Sequence, residues 1–162
     1  MHTLAPPSID TRTFRAVMGR FATGVTIVSH AGADGVRGMT ANSFLSVSLD
    51  PQLVLVSLAE TTRMADLLTI DQPFGISILA ENQTALSNHF AGRPNANATA
   101  MWHWEHDVPL LMGAVAQIAA RVVATHQAGD HMLVIGQVAH LAQGAGRPLV
   151  FHGGQYAQLA GA

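Results

Sequence analysis

Apolar residues in this chain come in short runs, and each run is cut off by a turn. GVTIVSH (24–30), QLVLVSLA (52–59), PFGISIL (73–79) and MLVIGQV (132–138) are seven or eight residues long, with Gly, Pro or Asp close to their ends. Runs of this length, rich in Val, Ile and Leu and bounded by turn residues, read as strands. GAVAQIAARVVATH (113–126) and PLVFHGGQYAQL (148–159) carry the pattern into the C-terminal half. Many strands, short turns and few helices favour an antiparallel barrel or sandwich over alternating strand–helix units. AGADG (31–35) has the chemistry of a hairpin turn, and Asp50–Pro51 is a second break. Between them VRGMTANSFLSVSL (36–49) reads as one extended region. Phe44, Leu45, Val47 and Leu49 mix there with Ser43, Ser46 and Ser48, a half-polar composition suited to facing a ligand.

Three segments carry helical signals instead. Asp10 is placed to cap a helix whose Phe14, Val17, Met18 and Phe21 fall on one face. Thr61 or Thr62 can cap ETTRMADLL, with Met64, Leu67 and Leu68 on one side, and ENQTALSNHFAG predicts a helix ending at Gly92. Residues 93–109, with Pro94 and the MWHWEHDVP cluster, read as a long loop. Residues 1–9 are a Pro-containing N-terminal extension, and with no repeat or linker, 1–162 is expected to form a single domain.

Charge sharpens the expectation. Only 11% of residues are charged while 49% are hydrophobic, against roughly 25% charged in an average soluble domain. A monomer with so few charges would expose a large apolar surface, so a second copy of the chain is expected to cover it as a homodimer. The formal charge of −2 argues against nucleic-acid binding. There is no Cys, and all eight basic residues are Arg. Thiolate nucleophiles, Schiff-base lysines and Walker-type phosphate loops are thereby removed, and redox chemistry has to come from a bound cofactor. No stretch approaches the roughly 18 apolar residues of a membrane span, and MHTLAPPSIDTRTF lacks the pattern of a secretory signal. A soluble, cytoplasmic protein is expected.

Several residues have chemistry of their own. Thr61, Thr62 and Arg63 place hydroxyls and a cation where a strand meets a helix N-terminus, which suits either a phosphate or simple capping. MTANSF (39–44) puts small polar groups where a strand wants large apolar ones. Such a segment is either a polar edge or a place where a flat ring approaches the backbone, with Asn42 as donor and acceptor. His89, His103 and His106 do not recur at ligand spacing, so no metal site is expected. Trp102 and Trp104 flank His103 as loop anchors or as a wall for a planar ligand. Gly129–Asp130–His131 stands at the mouth of the apolar 132–138 run, where a plain turn is the simplest reading. No GxGxxG follows a strand, which argues against a Rossmann site.

Taken in order, FRAVMGRFATGVTIVS, GMTANSFLSVSLDPQLVLVSLA, FGISILAENQTALSNHFAG, PLLMGAVAQIAARVVATHQAGDHMLVIGQV and PLVFHGGQYAQL resemble the short-chain flavin reductases. These are the NAD(P)H-dependent reductase components of two-component flavin monooxygenases, and the resemblance runs from about Phe14 to Leu159. It implies a mainly β, Greek-key split β-barrel of the FMN-binding type with short flanking helices, working as a homodimer. It implies FMN or FAD reduced by NADH or NADPH, and a separate monooxygenase that receives the reduced flavin. By the same resemblance Thr40, Ala41, Asn42 and Ser43 lie against the flavin ring and ribityl chain. Ser57, Ala59, Thr62 and Arg63 match the loop that holds its phosphate, and Phe90 matches a position near the flavin. Gly129, Asp130 and His131, with His152 and Tyr156, match the nicotinamide site, and His131 takes the catalytic role. The tail departs from the family: Gly154 and Gln155 stand where a basic residue is common. Two other functions remain open, a split-barrel flavoprotein passing electrons to another acceptor and a flavin-binding module without turnover.

Overall fold

The computed structural model describes residues 9–160, so most of the Pro-containing extension lies outside the described residues. The first helix, α1 (Thr11–Met18), begins where Asp10 accepts a hydrogen bond from the Thr13 amide at 3.0 Å. Its apolar face exists but joins no core cluster among the described residues: Phe14 is 55% exposed and Phe21, just beyond it, 78%. Strands β1 (Thr23–Gly24), β2 (Thr26–Gly32) and β3 (Gly35–Ala41) follow, and Ala33–Asp34 makes the expected tight turn between the last two. β4 (Phe44–Leu49) and β5 (Gln52–Ala59) are joined through Asp50–Pro51. Next come α2 (Arg63–Leu67), β6 (Pro73–Ile78), a 3-10 turn at Glu81–Gln83 and α3 (Thr84–Phe90). The C-terminal half adds β7 (Trp102–Glu105), β8 (Val108–Leu111), β9 (Ala116–Ala128), β10 (His131–Gln143), β11 (Val150–His152) and β12 (Gln155–Ala157).

Two sequence expectations need correction. The loop expected over 93–109 is irregular only as far as Met101; WHWE and VPLL then pair as the hairpin β7–β8. Its turn residues, His106 and Asp107, have φ of 50° and 62°. That left-handed geometry is usually announced by Asn–Gly, so the turn left no ordinary signal. The single extended region expected over 36–49 is broken at Asn42–Ser43, and its two halves end up on opposite edges of the main sheet.

That sheet has seven strands in the order β3-β2-β6-β9-β10-β5-β4, every neighbouring pair antiparallel. Its ladder is open, because β3 and β4 do not pair. Seven flat strands at about 4.8 Å spacing would set the edges roughly 29 Å apart. The link from Ala41 to Phe44 is three Cα steps, which reach at most about 11 Å. The sheet therefore curls until its edges nearly meet. The curl encloses a core of Val28, Val54, Val56, Leu58, Phe74, Ile76, Ile118, Val122 and Val134, into which α2 sets Met64 and, just past its end, Leu68. Each such Val, Leu, Ile or Phe contributes about 1.5–3 kcal/mol when fully buried. A second cluster, including Val25, Ile27, Leu79, Leu111 and Leu149, lies under Phe90, Trp102 and Tyr156. The strands β1, β11 and β12 form a small separate sheet beside it.

Candidate functional site

Asn42 and Ser43, the link between the two sheet edges, are the centre of the site. Ser43 Oγ donates to the Ser57 carbonyl at 2.6 Å, and the Ser57 amide donates back to the Ser43 carbonyl at 3.2 Å. This reciprocal pair fastens the link to β5. On the other side Thr40 Oγ1 donates to the Ser87 carbonyl of α3 at 2.7 Å, while Ala41 is buried. The Asn42 side chain is exposed and has no hydrogen-bond partner among the described residues. It borders two open clefts.

The first cleft has a cavity volume of about 240 Å³ and is walled by Thr40, Ala41, Asn42, Asn88, Arg93 and Tyr156. The Tyr156 hydroxyl lies 2.8 Å from the buried Ser87 Oγ and donates to Asn88 Oδ1 at 3.2 Å. Its ring meets Phe151 edge-on at 5.6 Å between centroids. The second cleft runs between Phe21, Thr23, Asn42 and Phe44. Thr23 Oγ1 is buried beside it without a partner among the described residues, a deficit of about 1–3 kcal/mol until something supplies one.

Phe90 crosses over β3. Its ring lies where a Cβ on Gly38 would be, 2.7 Å from the nearest ring carbon, so only glycine lets the ring rest on the strand. On the neighbouring stretch a third cleft is lined by Arg37, Met39, Thr62, Arg63 and Met64. Thr62 caps α2: its hydroxyl accepts from the Ala65 amide at 3.3 Å and donates to the Ala59 carbonyl at 2.7 Å. Capping is thus what its side chain does. Cation chemistry here belongs to Arg63 and Arg37, whose guanidiniums stand 4.0 and 3.2 Å from the one carboxylate of Asp34. One acid between two arginines leaves an excess positive charge facing the cleft, which suits a phosphate.

The Gly129–Asp130–His131 segment is a turn and something more. Gly129 has φ of 64°, a conformation that glycine adopts without strain, and the two-residue turn hands β9 to β10. His131 pairs across the ladder with Ala59, so the turn abuts the loop that leads to Thr62 and Arg63. The Glu60 amide donates to the Asp130 carbonyl at 3.0 Å. Gln127 Nε2 holds the turn from below through Gly129 O and Glu60 Oε2, both at 2.8 Å. The half-exposed His131 ring bonds Asp130 Oδ1 through Nδ1 at 2.7 Å. The hydrogen bond to His131, and then its charge, hold the Asp130 carboxyl below its ordinary value. Fixing Nδ1 this way leaves Nε2 directed away from the carboxylate.

The expected residues divide around the Asn42–Ser43 link. Thr40, Ala41, Asn42 and Tyr156 share one cleft, while Ser43, Ser57, Ala59, Thr62, Arg63 and Gly129–His131 follow one another along β5 and its neighbours. No hydrogen bond or ion pair among the described residues joins His131 to His152 or Tyr156. His152 is exposed beside the β11–β12 turn. Arg37, Ser87, Asn88 and Arg93 were not singled out from sequence. Period-two alternation from Met39 was the available signal for Arg37; nothing local marks the others. No cluster of three or more potential metal ligands occurs among the described residues. Trp102 packs with Phe90 at 5.9 Å between centroids, whereas Trp104 is exposed.

The flavin reductase like domain matches residues 18–160 of this chain. An NADH-dependent flavin reductase from Rhodococcus sp is 46% identical over 156 residues, covering 94% of this chain and 89% of that protein. The reductase component of 4-hydroxyphenylacetate 3-monooxygenase from Thermus thermophilus is 36% identical, covering 90% and 95%. Among solved structures, flavin reductase PheA2 in its native state superposes with a TM-score of 0.90 at 41% identity, covering 94% of this chain and 99% of that one. The chain belongs to the flavin reductase like domain family.

Proposed function

We propose that the protein is a flavin reductase that uses NADH to reduce FMN or FAD and supplies the reduced flavin to a separate monooxygenase. Its partners are then a second copy of itself in a split β-barrel homodimer, and the oxygenase; it acts as one domain, in the cytoplasm. The observation that carries this reading is the Asn42–Ser43 link, with small polar residues and unspent hydrogen-bonding groups on either side and an arginine-rich cleft nearby. The donor set fits a flavin. Asn42 and the orphaned Thr23 hydroxyl offer bonds to a heteroaromatic edge, Thr40 and Ser43 keep side chains small beside the backbone, and Arg63 with Arg37 answers a phosphate.

Held by Asn42, Ser43, Arg37 and Arg63, a flavin would supply the hydride acceptor there, so that NADH, a proton and oxidised flavin would give NAD⁺ and reduced flavin. The protein's share is positioning. Such a transfer needs no nucleophile, consistent with a chain that has neither Cys nor Lys. The Ser43–Ser57 pair fixes the wall on one side, and Phe90 closes over Gly38 on another. Asp130 sets the orientation of the His131 ring, which then aligns the nicotinamide amide.

Steady-state NADH oxidation by the purified protein, with FMN or FAD added from zero to saturation, tests the reading. A rate that rises and saturates with free flavin is expected. Turnover that ignores free flavin but follows another electron acceptor would move the protein to the acceptor-reducing class, and no NADH oxidation at any flavin concentration would leave only a binding module. In anaerobic stopped-flow, His131→Ala should slow flavin reduction by on the order of a hundredfold while leaving flavin affinity unchanged. Unchanged reduction at saturating NADH, with unchanged NADH affinity, would return the residue to a plain turn.

A further inference from the structure

The arginines of the described residues are not equally engaged. Arg37 and Arg63 share Asp34, Arg147 pairs with Glu81 at 3.1 Å, and Arg121 bonds the Asp71 carbonyl. Arg93 is different. It lies just past α3, its backbone amide tied to the Asn88 carbonyl at 3.1 Å, after Gly92 turns the chain at φ of 80°. Its side chain makes no ion pair or hydrogen bond among the described residues, and it is the one arginine on the wall of the Tyr156 cleft. Phe151, Gly154 and Tyr156 of the tail line the same cleft, and no Arg or Lys stands between His152 and Tyr156, where Gly153, Gly154 and Gln155 lie. A cation on the wall of a part-polar cleft, with no carboxylate paired to it among the described residues, is arranged for an anion from solution.

The proposed reaction brings two phosphate-bearing ligands together, and the Arg37–Arg63 cleft accounts for only one of them. We infer that Arg93 anchors the diphosphate bridge of a dinucleotide seated in the Tyr156 cleft, in the role that a tail without Arg or Lys cannot fill. This rests on the proposed reductase function and adds to it a residue that sets donor affinity. NADH carries such a bridge, and so does FAD. Either source presents the same paired phosphate oxygens to a planar guanidinium, a match that Arg makes in bidentate fashion. The contact persists from bound substrate to transition state, so its loss should appear in KM more than in kcat.

The test compares wild type, Arg93→Ala and Arg93→Lys with two donors, NADH and N-benzyl-1,4-dihydronicotinamide, which has no phosphate. Arg93→Ala should raise KM for NADH about tenfold with a much smaller change in kcat, leave the KM for the benzyl donor where it was, and recover partly with Lys. Equilibrium titration of FMN and FAD with the same variants separates the sources. Weakening of FAD alone, with NADH and FMN unaffected, assigns the diphosphate to the flavin. Weakening of NADH alone assigns it to the donor. A KM that rises equally for both donors, or dissociation constants and KM values all within twofold of wild type, would overturn the inference. Calorimetric titration with ADP-ribose, which carries the diphosphate without the redox ring, needs no turnover. Equal affinity of wild type and Arg93→Ala for that probe would overturn the inference on its own, whereas loss of flavin reduction by the wild-type protein would count against the function alone.

Discussion

Replacing Gly38 with Ala isolates the contact that sets the position of Phe90. The added methyl would stand 2.7 and 2.8 Å from two carbons of the Phe90 ring, where carbon–carbon contact wants about 3.7 Å. The ring must therefore retreat by about 1 Å. It has little freedom to do so, since it meets His89 edge-on at 5.0 Å and Trp102 at 5.9 Å and packs on the Val25–Leu149 cluster. Overpacking of this kind costs about 1–3 kcal/mol. Loss of glycine's freedom in the unfolded chain offsets about 0.4–1 kcal/mol of it. The net expectation for Gly38→Ala is a destabilisation of about 1–2 kcal/mol in urea unfolding, with weaker flavin binding because the ring is displaced over β3. In a Phe90→Ala background the obstruction is gone and the same substitution should stabilise by about 0.4–1 kcal/mol. A double-mutant cycle should thus return the overpacking cost itself, a coupling energy of about 1–3 kcal/mol. If the two substitutions add to within about 0.5 kcal/mol, Gly38 does not hold the ring and the local argument is wrong.

Arg63→Ala should weaken FMN by roughly 1 kcal/mol, about fivefold, with riboflavin unchanged; the figure is kept low because the guanidinium is 71% exposed. Flavin titration checks it, and equal weakening of both ligands would remove Arg63 from the phosphate. Asp10 is held below its ordinary value by the Thr13 hydroxyl and then by the Thr13 amide. Its contribution to α1 is complete above the ordinary carboxylate range and fades as pH falls through the lowered value, so the Thr13 amide resonance should titrate there and stop titrating in Asp10→Asn, which keeps the cap. Sedimentation at micromolar concentration should give a dimer, and Phe14→Glu with Phe21→Glu should shift it toward monomer.

Sequence reached what is local and missed what is brought together across the fold. β5 and the α1 cap were legible because eight contiguous apolar-rich residues and an Asp before a periodic face each carry their own signal. The Asn42–Ser43 break was not, since neither Gly nor Pro marks it and the flanking residues are compatible with continued strand. The His106–Asp107 turn hid for the related reason that its left-handed residues are not glycines. Tyr156 meets Ser87 across sixty-nine positions of chain, a contact that exists only because the small β1-β11-β12 sheet lies beside α3. Arg37 on a strand and Arg93 in a loop line clefts that exist only in the folded sheet.

The curl also connects the charge-poor surface to the chemistry. Leu45, Val47 and Leu49 of the edge strand β4 are exposed, Leu49 by 90%, as are Phe14, Val17 and Met18 of α1. Phe21 just past α1 and Phe44 at the start of β4 both wall the cleft that holds the unpartnered Thr23 hydroxyl and borders Asn42. A second copy seated on these apolar faces would shield that cleft from water as well as burying them. An exposed strand edge would otherwise invite irregular pairing, and a shielded ring site strengthens each polar contact made to a ligand inside it. On this argument the monomerising substitutions in α1, although remote from Asn42 in sequence, should also weaken flavin binding. Retention of full flavin affinity by a verified monomer would show that each chain completes the site alone.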